Sequence, residues 1–392
     1  MNEAVIVAAL RTAQGKFDGT LKGFSAPQLG GIVIKEAVKK TGIQPKEINE
    51  VIMGNVVSAG LGQNVARQAA IAAGLPYEIG CFHIDKVCGS SLKAVILAAQ
   101  AIKLGDADCI IAGGMESMTN CPYILDKARF GYRIFDGKII DSMVHDGLWD
   151  AYNNFHMGMT GEIVAEKYHI TRKDCDELAF ASHQKAAKAS ETGKFKDEIV
   201  PVEIKQKKGD PLIFAHDEGI RKDTTMESLA GLKPFFKEGG VITAGNASQI
   251  TDGASAVIVM SKEKAKKENL EILATIKGYD TTGVKPEYVM EAPIPGLRNL
   301  FKKMNLTIDD IDLVEHNEAF SSASAALIKE IGIPSEKFNV HGGAIAIGHP
   351  IGSSGSRILV TLLHSMKHYK KHRGLATICL GGGHAVSLIV ER

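Results

Sequence analysis

The chain repeats itself at a constant separation of 263 residues. Lys39-Lys40-Thr41-Gly42-Ile43 through Ile48 corresponds to Lys302-Lys303-Met304-Asn305-Leu306 through Ile311, and Gly89-Ser90-Ser91 corresponds to Gly352-Ser353-Ser354. Ile110-Ile111-Ala112-Gly113-Gly114 is then echoed by Ile378-Cys379-Leu380-Gly381-Gly382, shifted by five more. Each match is short, but one separation shared by distant segments is what an internal duplication leaves behind. The chain is therefore expected to build one structural unit twice and to bury the two copies against each other.

Patterning says what that unit is. Residues 4–9 form a continuous apolar run of the kind found in strands buried on both faces. Helix signals follow over 26–40, a strand over 51–57, a helix over 65–73, a strand over 81–84, a helix from Leu92, and a strand over 108–114. In the second copy, strands are expected over 311–314 and 375–378. Strands alternating with helices predict an α/β fold. From 120 to 248 the character changes to aromatics and turns (Tyr123, Phe130, Tyr132, Phe135, Trp149, Tyr152, Phe155), then a helix over 163–188 and a Lys-rich stretch. A buried strand resumes over 254–260, with a helix over 265–268. Three units are expected: 1–119 with 249–271, an insertion at 120–248, and 272–392.

Composition excludes more than it assigns. At 392 residues the chain exceeds the size at which single cores stop growing. Lys and Arg number 46 against 45 Asp and Glu, a formal charge of +1, so no global bias toward nucleic acid or membrane exists. Lys205-Gln206-Lys207-Lys208 and the basic run from Lys367 to Arg373 suit an anionic ligand or simply a solvated face. Six cysteines without a Cys-x-x-Cys suit reduced thiols rather than a disulfide scaffold or a zinc site. The first residues lack a signal-peptide pattern, and no apolar run is read as reaching the roughly 20 residues of a bilayer span. A cytoplasmic protein is the expectation.

Chemistry concentrates at the ends of strands. Cys88 falls between a β-prone run and a helix start, where backbone N–H groups and the positive end of the helix dipole favour a thiolate; a lowered pKa is expected. The second copy brings three clusters: Glu315-His316-Asn317-Glu318-Ala319-Phe320, the glycine-rich His341 to Pro350, and Cys379-Leu380-Gly381-Gly382-Gly383. Gly343 to His349 imitates a phosphate-binding loop but has His349 and Pro350 where Lys and Ser or Thr are needed. Two cysteines, a histidine and an asparagine among glycines suit acyl transfer.

Val87-Cys88-Gly89-Ser90, Asn317-Glu318-Ala319-Phe320, the run from Gly342 to Pro350, and Cys379 with Gly381-Gly382-Gly383 together resemble the four signature blocks of the thiolase family. Asn246-Ala247-Ser248 with Asp252-Gly253-Ala254 is similar to a further family stretch, and His156-Met157-Gly158 to its short-chain, biosynthetic branch. The resemblance implies five αβαβα layers with an inserted loop domain that holds coenzyme A, and a homotetramer. It implies reversible condensation of two acetyl-CoA to acetoacetyl-CoA and CoA, as part of lipid metabolism. Cys88 would carry the acetyl group, His349 would take its proton, and Cys379 would remove the α-proton of the second acetyl-CoA. One oxyanion hole would use His349 with water on Asn317, the other the backbone N–H groups of Cys88 and Gly381. His156, Met157, Arg221, Ser228, Ala244, Ser248, Met290 and Phe320 would line the acyl and CoA site. No metal or other cofactor is implied; the CoA thioester is the substrate. Ser91, His316 and His384-Ala385 depart from the family's usual residues and leave the pocket's shape open. A degradative 3-ketoacyl-CoA thiolase of broader chain length would use the same residues, and a non-catalytic CoA-binding protein would have no need of all of them.

Overall fold

The computed structural model describes residues 2–392. Its first half contributes strands β1 (Ala4–Thr12), β2 (Glu50–Gly54), β3 (Gly80–Ile84), β4 (Cys109–Ser117) and β5 (Thr251–Ser261). The second half contributes β6 (Ala274–Gly283), β7 (Leu313–His316), β8 (Arg373–Leu380) and β9 (His384–Glu391). They run in the order β7-β8-β9-β6-β1-β5-β4-β2-β3, with short strands Gly15–Lys16 and Ile199–Val200 attached to β5 and β1.

The duplication is visible in that order. The spatial series β3-β2-β4-β5-β1 is matched by β7-β8-β9-β6, and a parallel bridge from Val314 to Phe338 stands where β3 would recur. Helices α1 (Ala26–Thr41), α2 (Val65–Ala72) and α3 (Ser90–Leu104) have as counterparts the helices Pro293–Met304, Ser321–Ile331 and Ser354–Tyr369. The matched segments end their helices alike: Gly42 and Asn305 both cap in the left-handed conformation, and each is followed by a short 3-10 turn. The two copies meet edge to edge where Val5 and Ile6 pair with Thr275 and Ala274.

Alternation along each strand sorts side chains into layers. Val51, Met53, Ile111, Ala256 and Ile258 face α1 and α2. Their neighbours Ile52, Ile110, Ala112, Val257 and Val259 face the opposite way, into a core shared with α3, the helix Ser354–Tyr369, and Ala376, Ile378, Val386 and Leu388 of the second sheet. Val314, Leu375 and Ile389 on that sheet's far face pack under Pro293–Met304 and Ser321–Ile331. The result is helix, sheet, helix, sheet, helix. Burial in the middle layer explains an apolarity the sequence reading underrated. Residues Val87–Leu104 form an 18-residue stretch of mean hydropathy 1.4, close to membrane-span length, and more than half of it is buried between the sheets.

Between β4 and β5 the chain leaves the layered core. Two helices, α4 (Gly158–Tyr168) and α5 (Arg172–Glu191), replace the single helix expected over 163–188. His169 turns left-handed and Thr171 opens a new helix with a capping box to Asp174, so the chain redirects there. Buried Arg11 ties this segment to the core, meeting Glu198 and Asp217 at 2.7 Å each. The remaining helices of the second half are α6 (Pro293–Met304), α7 (Ser321–Ile331) and α8 (Ser354–Tyr369).

Candidate active site

The two central helices approach each other by their N-termini. A side chain on Gly114 would stand 2.1 Å from the Gly352 carbonyl oxygen, and one on Gly355 would stand 2.6 Å from the Leu92 nitrogen. The Ser356 N–H donates to Ser91 Oγ at 2.8 Å, so Ser91 joins the helices. Cys88 immediately precedes Gly89, the N-cap of α3, as its sequence context predicted. The turn is held by Ser90, whose Oγ donates to the Val87 carbonyl at 2.6 Å and accepts the Lys86 N–H at 2.8 Å. Val87 has φ of +45°, a strained conformation for a β-branched residue.

The second copy supplies the other groups from two strand ends and a glycine-rich loop. Asn317 follows β7, His349 follows the short helix Ala344–Ile347, and Cys379 lies near the end of β8. Cys88, His349, Cys379 and Gly381 line a single pocket with a cavity volume of about 60 Å³, together with His156, Met157, Ser248, Met290 and Phe320. Asn317 lies behind it, its amide nitrogen 3.3 Å from His349 Nε2. A second cavity of about 250 Å³ shares His156, Ser248, Phe320 and His349 and adds exposed Ala244. Arg221 and Ser228 are exposed and border neither cavity.

The electrostatics correct one expectation. The backbone N–H groups of Cys88 and Gly381 do face the Cys88 sulfur and favour its thiolate. Burial outweighs them, reinforced by the neighbouring Cys379, and the thiol is pushed up rather than down. Burial also pushes the Cys379 thiol up to about 12 and the His349 imidazolium down to about 3. At neutral pH the pocket thus holds two thiols and a neutral imidazole. Ser354 Oγ donates to the Pro350 carbonyl at 2.9 Å, so at 2.5 Å it accepts the Nδ1–H of His349. That leaves Nε2 as the basic nitrogen. Cys379 Sγ touches Met290 Sδ at 3.7 Å, and His156 stacks on Phe236 with ring centroids 4.8 Å apart.

Sequence reading missed several wall residues. Val87, Gly147, Leu148, Val289, Ala319, Ile351 and Leu380 also border the pocket. Val87, Ala319 and Leu380 lie beside the motif residues, but nothing in the local pattern of Gly147, Leu148, Val289 and Ile351 separates them from core positions. Ser354 had a signal, since it repeats Ser91, but the partner of its hydroxyl is set by the fold. Two of the departures stand away from the chemistry: His384 is exposed, and His316 is buried with Nδ1 2.9 Å from Ser324 Oγ.

Paired thiols, a neutral imidazole and backbone N–H groups at facing helix ends define an apolar-walled acyl-transfer site within a duplicated α/β fold. Comparison with known proteins makes this specific. Residues 4–263 match the model of the thiolase N-terminal domain, and residues 270–392 that of the thiolase C-terminal domain. The chain belongs to the thiolase family. It is 52% identical to an acetyl-CoA acetyltransferase of Cupriavidus necator, over the whole of both chains, and 54% identical to one of Syntrophomonas wolfei, over 99% of each. The crystal structure of the Bacillus anthracis acetyl-CoA acetyltransferase superposes with a TM-score of 0.97 at 42% identity, covering 100% of this chain and 99% of that one.

Proposed function

We propose that the protein is an acetyl-CoA C-acetyltransferase that joins two acetyl-CoA into acetoacetyl-CoA and CoA, and runs the same reaction backwards as thiolysis. The observation that carries this reading is the pocket holding Cys88, His349 and Cys379 together, with the Cys88 and Gly381 N–H groups on the nucleophilic sulfur. The relatives' names support the acetyl specificity.

The charge states suggest the order of events. Cys88 attacks the thioester carbonyl as its proton passes to His349 Nε2, and the tetrahedral oxyanion is held by the Cys88 and Gly381 N–H groups. The C–S bond to CoA breaks, and the leaving sulfur takes the proton of Cys379. Cys379 is then a thiolate beside an imidazolium, a pair with no net charge in a dry pocket. After CoA is replaced by a second acetyl-CoA, Cys379 removes a proton from its methyl carbon. The enolate attacks the acetyl carbonyl on Cys88, a C–C bond forms, and the Cys88 sulfur departs to recover its proton from His349.

The two joined cavities suit a pantetheine arm, and Arg221, Ser228, Ala244 and Ser248 are assigned to the path of CoA toward solvent. We further assign a cytoplasmic homotetramer serving lipid metabolism, with no metal or cofactor. Two features favour assembly: β3 is an edge strand with Phe82 exposed, and the arm from Tyr123 to Tyr152 exposes Phe130, Ile134 and Phe135. Met157, Met290 and Phe320 are assigned to close the acyl end. Each methylene in an apolar pocket changes discrimination by only ~1–3 kcal/mol, so a sharp cutoff must be steric. Initial rates of thiolysis against chain length test the reading: acetoacetyl-CoA should be cleaved far faster than 3-ketohexanoyl-CoA or longer substrates. Equal cleavage of 3-ketodecanoyl-CoA would assign the protein to the degradative thiolases.

A further inference from the structure

One buried charge in the second copy is unaccounted for by the reaction as written. Arg357 is fully buried on α8, one turn after Ser354. Among the described residues no carboxylate lies within ion-pair distance of it, and its Nε and Nη1 meet no hydrogen-bond partner. Its one hydrogen bond runs from Nη2 to Asn317 Oδ1 at 3.4 Å. Glu315, the carboxylate that bears on it most, has neither oxygen hydrogen-bonded, and burial raises its pKa well above the ordinary range.

An amide has a donor end and an acceptor end. With Oδ1 taken by an arginine, which can only donate, the amide nitrogen must turn toward His349 Nε2, where it stands at 3.3 Å. The same turn of α8 thus fixes both groups: Ser354 sets the imidazole tautomer and Arg357 sets the amide. The duplication sharpens the contrast. At the separation of 263 residues Ser354 corresponds to Ser91, and Arg357 to Ala94. The helix behind the nucleophile therefore has no such cation, and the helix behind Asn317 and His349 has one.

We infer that Arg357 is a positioning residue for the enolate-forming half of the reaction: it keeps the Asn317 N–H group on the His349 side, so that once Nε2 is protonated the amide and imidazolium N–H groups are both donors for the oxygen that becomes negative when Cys379 removes the α-proton, with a preformed positive charge behind them. This rests on the acetyl-transfer reading above. The Cys88 and Gly381 N–H groups already serve the acyl group on Cys88, so the orientation that Arg357 gives Asn317 bears on the enolate half-reaction, while its charge, which Arg357→Lys keeps, bears on His349 in both. Its charge also lowers the basicity of His349.

The experiment separates the two half-reactions in Arg357→Lys, which keeps the buried charge and the fold but loses the guanidinium fork. Wild-type protein should both acetylate Cys88 from acetyl-CoA and exchange the methyl protons of acetyl-CoA with deuterated solvent. In Arg357→Lys, single-turnover acetylation should stay within about threefold of wild type, while exchange and condensation fall about 10- to 100-fold, the scale of a misplaced catalytic group. In an Asn317→Ala background the same substitution should cost little more, because its target is gone. Unchanged exchange in Arg357→Lys, or equal losses in both half-reactions, would overturn the inference. Failure of wild type to acetylate and exchange would instead overturn the acetyl-transfer reading itself.

Discussion

Cys88 shows how opposing effects are decided by magnitude. A helix N-terminus and two N–H groups favour the thiolate, but they act only on the sulfur's immediate surroundings, whereas burial removes the solvation of the whole charge. The residue types and the helix start were legible in the sequence; the depth of the pocket was not, because it is made by residues hundreds of positions away, Cys379 and Gly381 among them. The pH consequence follows from His349. A base whose pKa lies near 3 is unprotonated at every pH above that value, so lowering the pH from 7 to about 5 does not remove it. The single-turnover rate of Cys88 acetylation should therefore be flat over that range. A fall with an inflection near the ordinary histidine value of 6.5 would show that the pocket is wetter and His349 more basic than its burial implies.

Elements were more readable than their joints. Apolar runs located β1, β4 and β5, helix signals located α1, and turn residues located the start of α3, since these signals are local. The break between α4 and α5 was missed although Thr171 and Asp174 form a capping box, because apolar residues continue on both sides. The pairing of β1 with β6 was unreadable, because it joins segments about 270 residues apart whose patterns fit many partners. A tight joint lies where β4 passes the N-termini of the two central helices. Gly114→Ala would place a methyl carbon 2.1 Å from the Gly352 carbonyl, and backbone atoms cannot swing away as a side chain can. Such overpacking should cost about 1–3 kcal/mol and slow Cys88 acetylation by spreading Ser90–Ser91 from Gly352. Denaturant midpoints with acetylation rates check this, and wild-type values for both would mean the helices have slack that the packing does not show.

For the molecule as a whole, the duplication explains why the site is split. One copy brings Cys88 and the other brings His349, Asn317 and Cys379, so neither half holds the pocket alone. The insertion adds the pocket wall through Leu148, His156 and Met157, and it also carries the exposed apolar arm. Phe135 is 94% exposed and Phe130 84%, a cost in water that burial against another copy would remove. Replacing Phe130, Ile134 and Phe135 together by Asp should reduce the oligomer seen by light scattering while Cys88 still acetylates; an unchanged mass would take the arm out of the assembly. The claim on which the whole account stands is the division of labour between the two cysteines. The most direct test is mass spectrometry of rapidly quenched Cys379→Ser incubated with acetyl-CoA in deuterated water, reading protein and thioester in one sample. An acetyl group on Cys88 is expected, with the departing CoA sulfur leaving as the thiolate or taking the proton from His349 in place of Cys379, and no deuterium in the methyl group of acetyl-CoA, because a serine hydroxyl cannot supply the base. Deuterium incorporation at the wild-type rate, or acetyl on any residue other than Cys88, would contradict it.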